Sequence, residues 1–151
     1  MSAATKRILD EPVDVYFENE FVTLYWNPRL RAVGTWFRPA PLGEGWRGTE
    51  TIKLALEKGL DLIREHKATR WIADTRDMPV MPPEAQAWCT EDWWPRALEA
   101  GFRWLAILLP NSIIAKLAID EAIAASVEHQ ESESRYFGSA DAAKAWLLSK
   151  A

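Results

Sequence analysis

The sequence predicts a single α/β domain: a mixed β-sheet that is antiparallel on its N-terminal side and continues as β-α repeats, with helices packed on it. Three observations predict this. Residues 13–37 hold runs of β-branched and aromatic residues, and the breaks between them are too short for a crossover. From residue 49 onward, stretches with helical spacing of apolar residues alternate with short apolar runs. The 151 residues are 48% apolar and 26% charged, which suits one domain with a buried core, and no linker, repeat or low-complexity segment divides them.

Taken in order, residues 1–11 are polar and aperiodic and read as a flexible leader, which leaves 12–151 as the domain. "VDVYFEN" alternates Val13, Val15 and Phe17 on one side, "FVTLYWN" is β-branched and aromatic, and "RLRAVGTWF" alternates Leu30, Ala32 and Gly34. These are three strands of an antiparallel meander. After a Pro- and Gly-rich loop, residues 49–66 place Ile52, Ala55, Leu56, Gly59, Leu60 and Ile63 on one helical face. "TRWIADT" reads as a short buried strand and "GFRWLAILLP" as a longer one buried on both faces. Between them a helix spans about 83–100, with Pro82-Pro83 suited to its start and Gly101 to its stop. Another helix covers about 112–129, "ESRYFG" is a last strand, and Ser139 caps a final helix, "ADAAKAWLLSK". Strands alternating with helices imply right-handed crossovers and a largely parallel sheet.

Charge and cysteine content restrict the function classes. Lys and Arg number 18 against 22 Asp and Glu, and the basic residues are scattered, so no surface for a phosphate backbone is expected and nucleic acid is excluded as a partner. The single Cys89 forms no internal disulfide. Without a cleavable N-terminal apolar segment or a run of about 18 apolar residues, the chain is expected to be cytoplasmic, with no membrane insertion.

Candidate chemistry centres on residues 72–101. Asp74, Thr75, Arg76 and Asp77 follow directly on a strand end, where ligands of open α/β sheets sit. Asp74 and Asp77 lack further carboxylates to hold a hard cation, so no metal or cofactor is expected, and an Arg76 salt bridge that pins the loop is the plainer reading. His66 and His129 fall at helix C-termini, where they complement the dipole, and Cys89 reads as a small buried residue. No phosphate-binding glycine motif or nucleophile elbow is present.

The aromatic residues stand out more than the acids. Nine Trp residues occur in the chain, and with Trp88 as zero, Trp93 lies near about 140° and Trp94 near about 240° around an α-helix. One face cannot bury all three unless Pro95 bends the helix, so Trp93, Trp94 and Arg96 become candidate contact residues. The helix at 112–129 distributes Ile113, Leu117, Ile119, Ile123 and Val127 nearly all round, which points to burial on all sides or to an interface, including a homodimer.

The ending "SRYFGSADAAKAWL" resembles that of the SpoIIAA-like branch of the STAS superfamily, and "RWIADTRDMPVMPPEAQAW…DWWPRALEAGFRWLAILLP" resembles a bacterial group of STAS/SEC14 domain proteins. The likeness spans residues 12–149 at the level of element order. It implies a four-layered order of helices around a mixed sheet, and regulation by binding rather than catalysis. Antagonists in this superfamily carry a phosphorylatable Ser in a D-S-[ST]-G-like turn; here that strand ends "ADTRD", the pattern itself is absent, and Thr75 is the nearest hydroxyl. The leading expectation is therefore a non-catalytic STAS-like module that binds a protein partner in bacterial signalling. The alternatives are a carrier of an apolar or amphipathic small ligand beside Arg76, and an acid/base enzyme using Asp74 or Asp77.

Overall fold

In the computed structural model, which describes residues 5–38, 48–78, 82–110 and 133–150, seven strands form one sheet in chain order. They are β1 (Thr5–Ile8), β2 (Glu11–Glu18), β3 (Val22–Asn27), β4 (Ala32–Phe37), β5 (Arg70–Asp74), β6 (Trp104–Leu108) and β7 (Glu133–Phe137). Pairing is antiparallel from β1 to β4 and parallel from β4 to β7. The helices are α1 (Gly48–His66), α2 (Pro83–Trp88), α3 (Trp94–Ala100), joined to α2 by a π-helical turn at Cys89–Trp93, and α4 (Ala140–Leu148). The mixed α/β sheet and the order of the described elements from β2 onward are as the periodicity predicts. The helix expected at 112–129 lies outside the described residues. No helix among the described residues is long and apolar enough to cross a membrane.

Alternation along β5 sorts the layers. Trp71 and Ala73 pack with Leu60 and Ile63 of α1, and with Trp93 and Ala97 of the bent helix. Ile72, facing the other way, packs with Ala143 and Leu147 of α4. Successive right-handed crossovers stepping one way along a sheet place their helices on one face, and the helix after the last strand is free to cover the other. The described residues thus form three layers, where the STAS resemblance implied four.

Two close approaches show how tightly large rings are packed, one between α1 and the sheet and one within the sheet. A methyl group at Gly59 of α1 would stand 2.0 Å from the Trp71 ring, and one at Gly34 of β4 would stand 2.1 Å from the Tyr25 ring. Both rings are among the largest fully buried side chains, so glycine at each position is what allows a large ring to lie flat on its neighbour. Trp71 is also anchored by its indole N–H, which donates to Thr35 Oγ1 at 3.1 Å.

Two expectations are corrected. Residues 5–11 are not a loose leader: they form β1 and the start of β2. The turn between them, Leu9-Asp10, has both residues at positive φ, 54° and 61°, as the two-residue turn of a tight hairpin requires. Leu at such a position gives no turn signal, so composition hid the hairpin. It is held from outside, by Ile8 packing on Val13 and Tyr25 and by Lys144 Nζ of α4, which donates to the Leu9 carbonyl at 2.7 Å. The second correction concerns Phe17. A register shift between Val15 and Phe17 inserts one residue, so Val13 and Val15 stay on the α4 face while Phe17 packs with the α1 core.

Beside the hairpin, Glu11 is buried, and its carboxylate accepts from Arg29 Nε at 2.6 Å and Nη2 at 2.7 Å, and from Lys144 Nζ at 3.3 Å. The Arg29 hydrogen bonds lead in holding this carboxyl below its ordinary value; burial opposes them and Lys144 adds to them.

Gly59→Ala should lower the melting temperature by roughly 2–8 °C in circular-dichroism melts, because overpacking costs about 1–3 kcal/mol. The substitution gains about 1 kcal/mol of helix propensity, so an unchanged or raised melting temperature would mean that the Trp71 ring yields. A second expectation follows from the sign of the Glu11 shift. A carboxyl depressed in the folded state contributes stability above its unfolded value, near 4.5, and loses it as pH falls through the folded one. Glu11→Gln should therefore cost about 1–3 kcal/mol at pH 7 and progressively less as pH is lowered below 4.5 in urea unfolding; a cost that does not change with pH would show that the charge contributes nothing.

Candidate functional site

β4 and β5 run parallel and end together, with Trp36 in register with Asp74, so both side chains project from the α4 face. A cleft of about 580 Å³ opens there. Its floor is Trp36 and Asp74. The β1–β2 hairpin supplies Arg7, Ile8, Leu9 and Asp10, the loop after β5 supplies Arg76 and Asp77, and Ala140 and Asp141 come from the first turn of α4.

Asp74 is buried, and its two oxygens are engaged by one neighbour. Oδ1 accepts from the Arg76 backbone N–H at 3.2 Å and from Arg76 Nε at 3.0 Å, and Oδ2 accepts from Nη2 at 2.8 Å. The Asp74 hydrogen bond leads in pushing the Arg76 guanidinium above its usual value, and the charges of Asp74 and Asp77 add to it. A planar fork on a carboxylate two residues away fixes the loop direction, so this pair is the loop clamp that the spacing suggests. Thr75 is likewise committed: its hydroxyl donates to the Leu108 carbonyl at 2.8 Å and its N–H to the same oxygen at 3.1 Å. These bonds tie the end of β5 to β6. A phosphate on Thr75 would break one of them and stand beside Asp74 and Asp77, which repel it. Asp77 is exposed at the mouth of the cleft.

The remaining residues expected at the site lie elsewhere. Trp93 is buried on the α1 face, where its indole N–H donates to the Leu56 carbonyl at 2.8 Å and its ring meets Trp71 edge-on at 5.5 Å. Trp94 is half-buried against Phe102, 5.4 Å between centroids. Arg96 ties the bent helix to α1 through Glu57 at 2.8 Å and pairs with Asp92 at 3.2 Å. The expectation of an outward-facing ring assumed one uniform α-helix. Instead the Trp94 N–H reaches back five residues to the Cys89 carbonyl, and this wider turn carries Trp88, Trp93 and Trp94 onto the same core. Pro95 then falls in the first turn of α3, where its missing N–H costs little.

Sequence reasoning missed Arg7, Asp10, Trp36 and Asp141. Asp141 was within reach, since Ser139 does cap α4, accepting from the Ala142 N–H at 3.3 Å. Arg7 and Asp10 were hidden in the supposed leader. Among the described residues no group of three or more His, Cys, Asp or Glu side chains could hold a metal ion. Burial pushes the Cys89 thiol up to about 12, which leaves it a thiol at neutral pH. His66 stacks on Trp26 at 3.9 Å, and His129 lies outside the described residues.

The cleft brings guanidinium and carboxylate groups together on an aromatic floor, with Arg76 held by Asp74 and Arg7 donating to a neutral carbonyl, that of Asp10, at 2.8 Å. Four aspartates line it against two arginines. Such a surface suits a small molecule offering both donors and acceptors better than a polyanion. No family model, curated protein or solved structure matches the chain.

Proposed function

We propose that this chain is a non-catalytic binding domain that takes a small polar ligand in the cleft at the carboxyl ends of β4 and β5. The observation that carries this reading is the convergence of Arg7, Trp36, Arg76 and Asp77, from the hairpin, the sheet and the loop after β5, on one recess of about 580 Å³. Recesses of about 300–1,000 Å³ with a few convergent polar groups are the usual form of small-ligand sites, and the carboxyl ends of parallel strands are where α/β sheets place them. Where an apolar or amphipathic ligand was expected beside Arg76, the cleft offers one Trp36 ring with a charged rim, so the ligand is polar rather than lipid-like. The guanidinium groups of Arg7 and Arg76 offer donors, and Asp77 and Asp10 offer acceptors.

A second reading, a STAS-type protein-interaction module in bacterial signalling, draws on one feature, the nearly all-round apolar pattern of residues 112–129. Light scattering of the purified chain should then give a dimer mass that Ile119→Lys reduces to that of a monomer. A monomeric mass, together with pull-downs from the native host that return no partner, counts against it.

For the cleft, native mass spectrometry of freshly purified protein should show retained ligand mass, lost in the Arg7→Ala/Asp77→Asn double variant, whose exposed side chains leave the Asp74–Arg76 clamp intact. If the mass is bare and a screen of polar fragments leaves the Trp36 indole N–H resonance unmoved, the cleft is not a ligand site.

A further inference from the structure

A second recess lies on the α1 face. There the C-terminal turns of α1 leave part of β2 uncovered, and a groove of about 360 Å³ remains, lined by Asp14, Tyr16, Trp26, Leu62, Glu65 and His66 with Thr5 and Val15. The irregularity in β2 creates it. With one residue inserted between Val15 and Phe17, two successive rings, Tyr16 and Phe17, reach the same helix.

The two rings meet different charges. Lys58, Asp61 and Glu65 follow one another along one side of α1 at helical spacing. The Lys58 ammonium lies over the Phe17 ring, 5.0 Å from its centroid, so this ring is served by the chain's own cation. Tyr16 instead faces acids: partial burial, and then the charges of Asp61 and Glu65, raise its phenol above its ordinary value. Asp14 stands across from Trp26 in the β2–β3 register. One face of Trp26 is taken by His66, stacked within 2° of parallel, while Tyr16 is 43% exposed. No lysine or arginine is among the residues lining the groove; the one base there is His66, whose Nε2 lies 3.4 Å from Glu65 Oε2.

We propose that this groove binds an organic cation, an alkylammonium or guanidinium group, seated against the Tyr16 ring and held by Asp14 and Glu65. A ring face attracts a cation through its quadrupole, and nearby carboxylates in a partly desolvated recess add to the attraction. Leu62 and the Trp26 ring edge offer apolar contact to the methylene or methyl groups such a cation carries, which a hydrated metal ion lacks. The same chemistry comes from two sources, a free amine or a lysine or arginine side chain of another protein.

The test is an NMR titration of the full chain with tetramethylammonium chloride, with a lysine-containing tripeptide, and with sodium chloride at matched ionic strength. Expected are saturable shifts confined to the Trp26 indole N–H and the amides of residues 14–16 and 62–66, produced by the organic cations and not by sodium. Asp14→Asn/Glu65→Gln and, separately, Tyr16→Leu should each weaken binding by about fivefold or more. All three positions are exposed, so the variants keep the fold, and unchanged spectra elsewhere verify that. A tripeptide that binds about tenfold more tightly than tetramethylammonium assigns a protein side chain as the source; comparable or weaker binding assigns a free amine; both support the site. Shifts equal to those in sodium chloride, no saturable shift at all, or unaltered affinity in both variants overturns it.

Discussion

The Lys144 ammonium is where the two sides of the cleft are joined. It extends from α4 into the space above the sheet, almost wholly buried, and donates to the Leu9 carbonyl at 2.7 Å and to Glu11 at 3.3 Å. A charge in that position is tolerated only because its donors are met; removing one partner of such a pair commonly costs about 3–5 kcal/mol, since the other charge is left buried alone. The same bonds explain how the Leu9-Asp10 turn persists. Positive φ at a residue other than glycine costs on the order of 1–3 kcal/mol, and the turn gains it back from the Leu9 carbonyl bond and from the packing of Leu9 between α4 and the hairpin core. Asp10 belongs to this turn and Arg7 lies two residues before it, so the position of two cleft side chains depends on a lysine more than 130 residues away in sequence.

On the other face the organising constraint is the Trp71 ring. It lies against Gly59 of α1, meets Trp93 at 5.5 Å and Phe102 at 6.3 Å, both near edge-on, and such edge contacts add to the area term of burial. Trp93 can reach it only because the helix after Pro83 widens by one residue at Cys89–Trp93. The insertion places a proline where α3 begins and turns three indoles inward together. The aromatic wealth of residues 88–94 is therefore core, and the polar work is left to the loop before it.

What was legible in the sequence was whatever repeats locally. The α1 stripe from Ile52 to Ile63, the place of β6, the Ser139 cap and the Gly101 stop, which sits at φ 116°, all follow from spacing and backbone preference, whereas β6 is no longer than β5 and buries only Ala106 and Leu108 instead of both faces. The clamp of Asp74 by Arg76 was legible too, since two residues separate them. Illegible were features fixed by distant partners: a hairpin turn without asparagine or glycine, a cleft whose walls come from both ends of the chain, and a π turn that no periodicity announces. In each case tertiary contacts outweigh the local preference on which sequence reading depends.

The irregularity in β2 joins both halves of this picture. Strict alternation would have kept Phe17 on the same side as Val13 and Val15, beneath α4, and left the edge of α1 over polar side chains. One extra residue reverses the facing of β2 from Phe17 onward. Upstream of it, Glu11, Val13 and Val15 serve the α4 face and the charged network that holds the cleft. Downstream, Phe17 joins the α1 core, where Lys58 covers it, and Tyr16 is left at the margin between the helix and the hairpin. A strand of eight residues thus lines the groove on the α1 face and, through Glu11 and Lys144, helps to hold the hairpin that walls the cleft on the other.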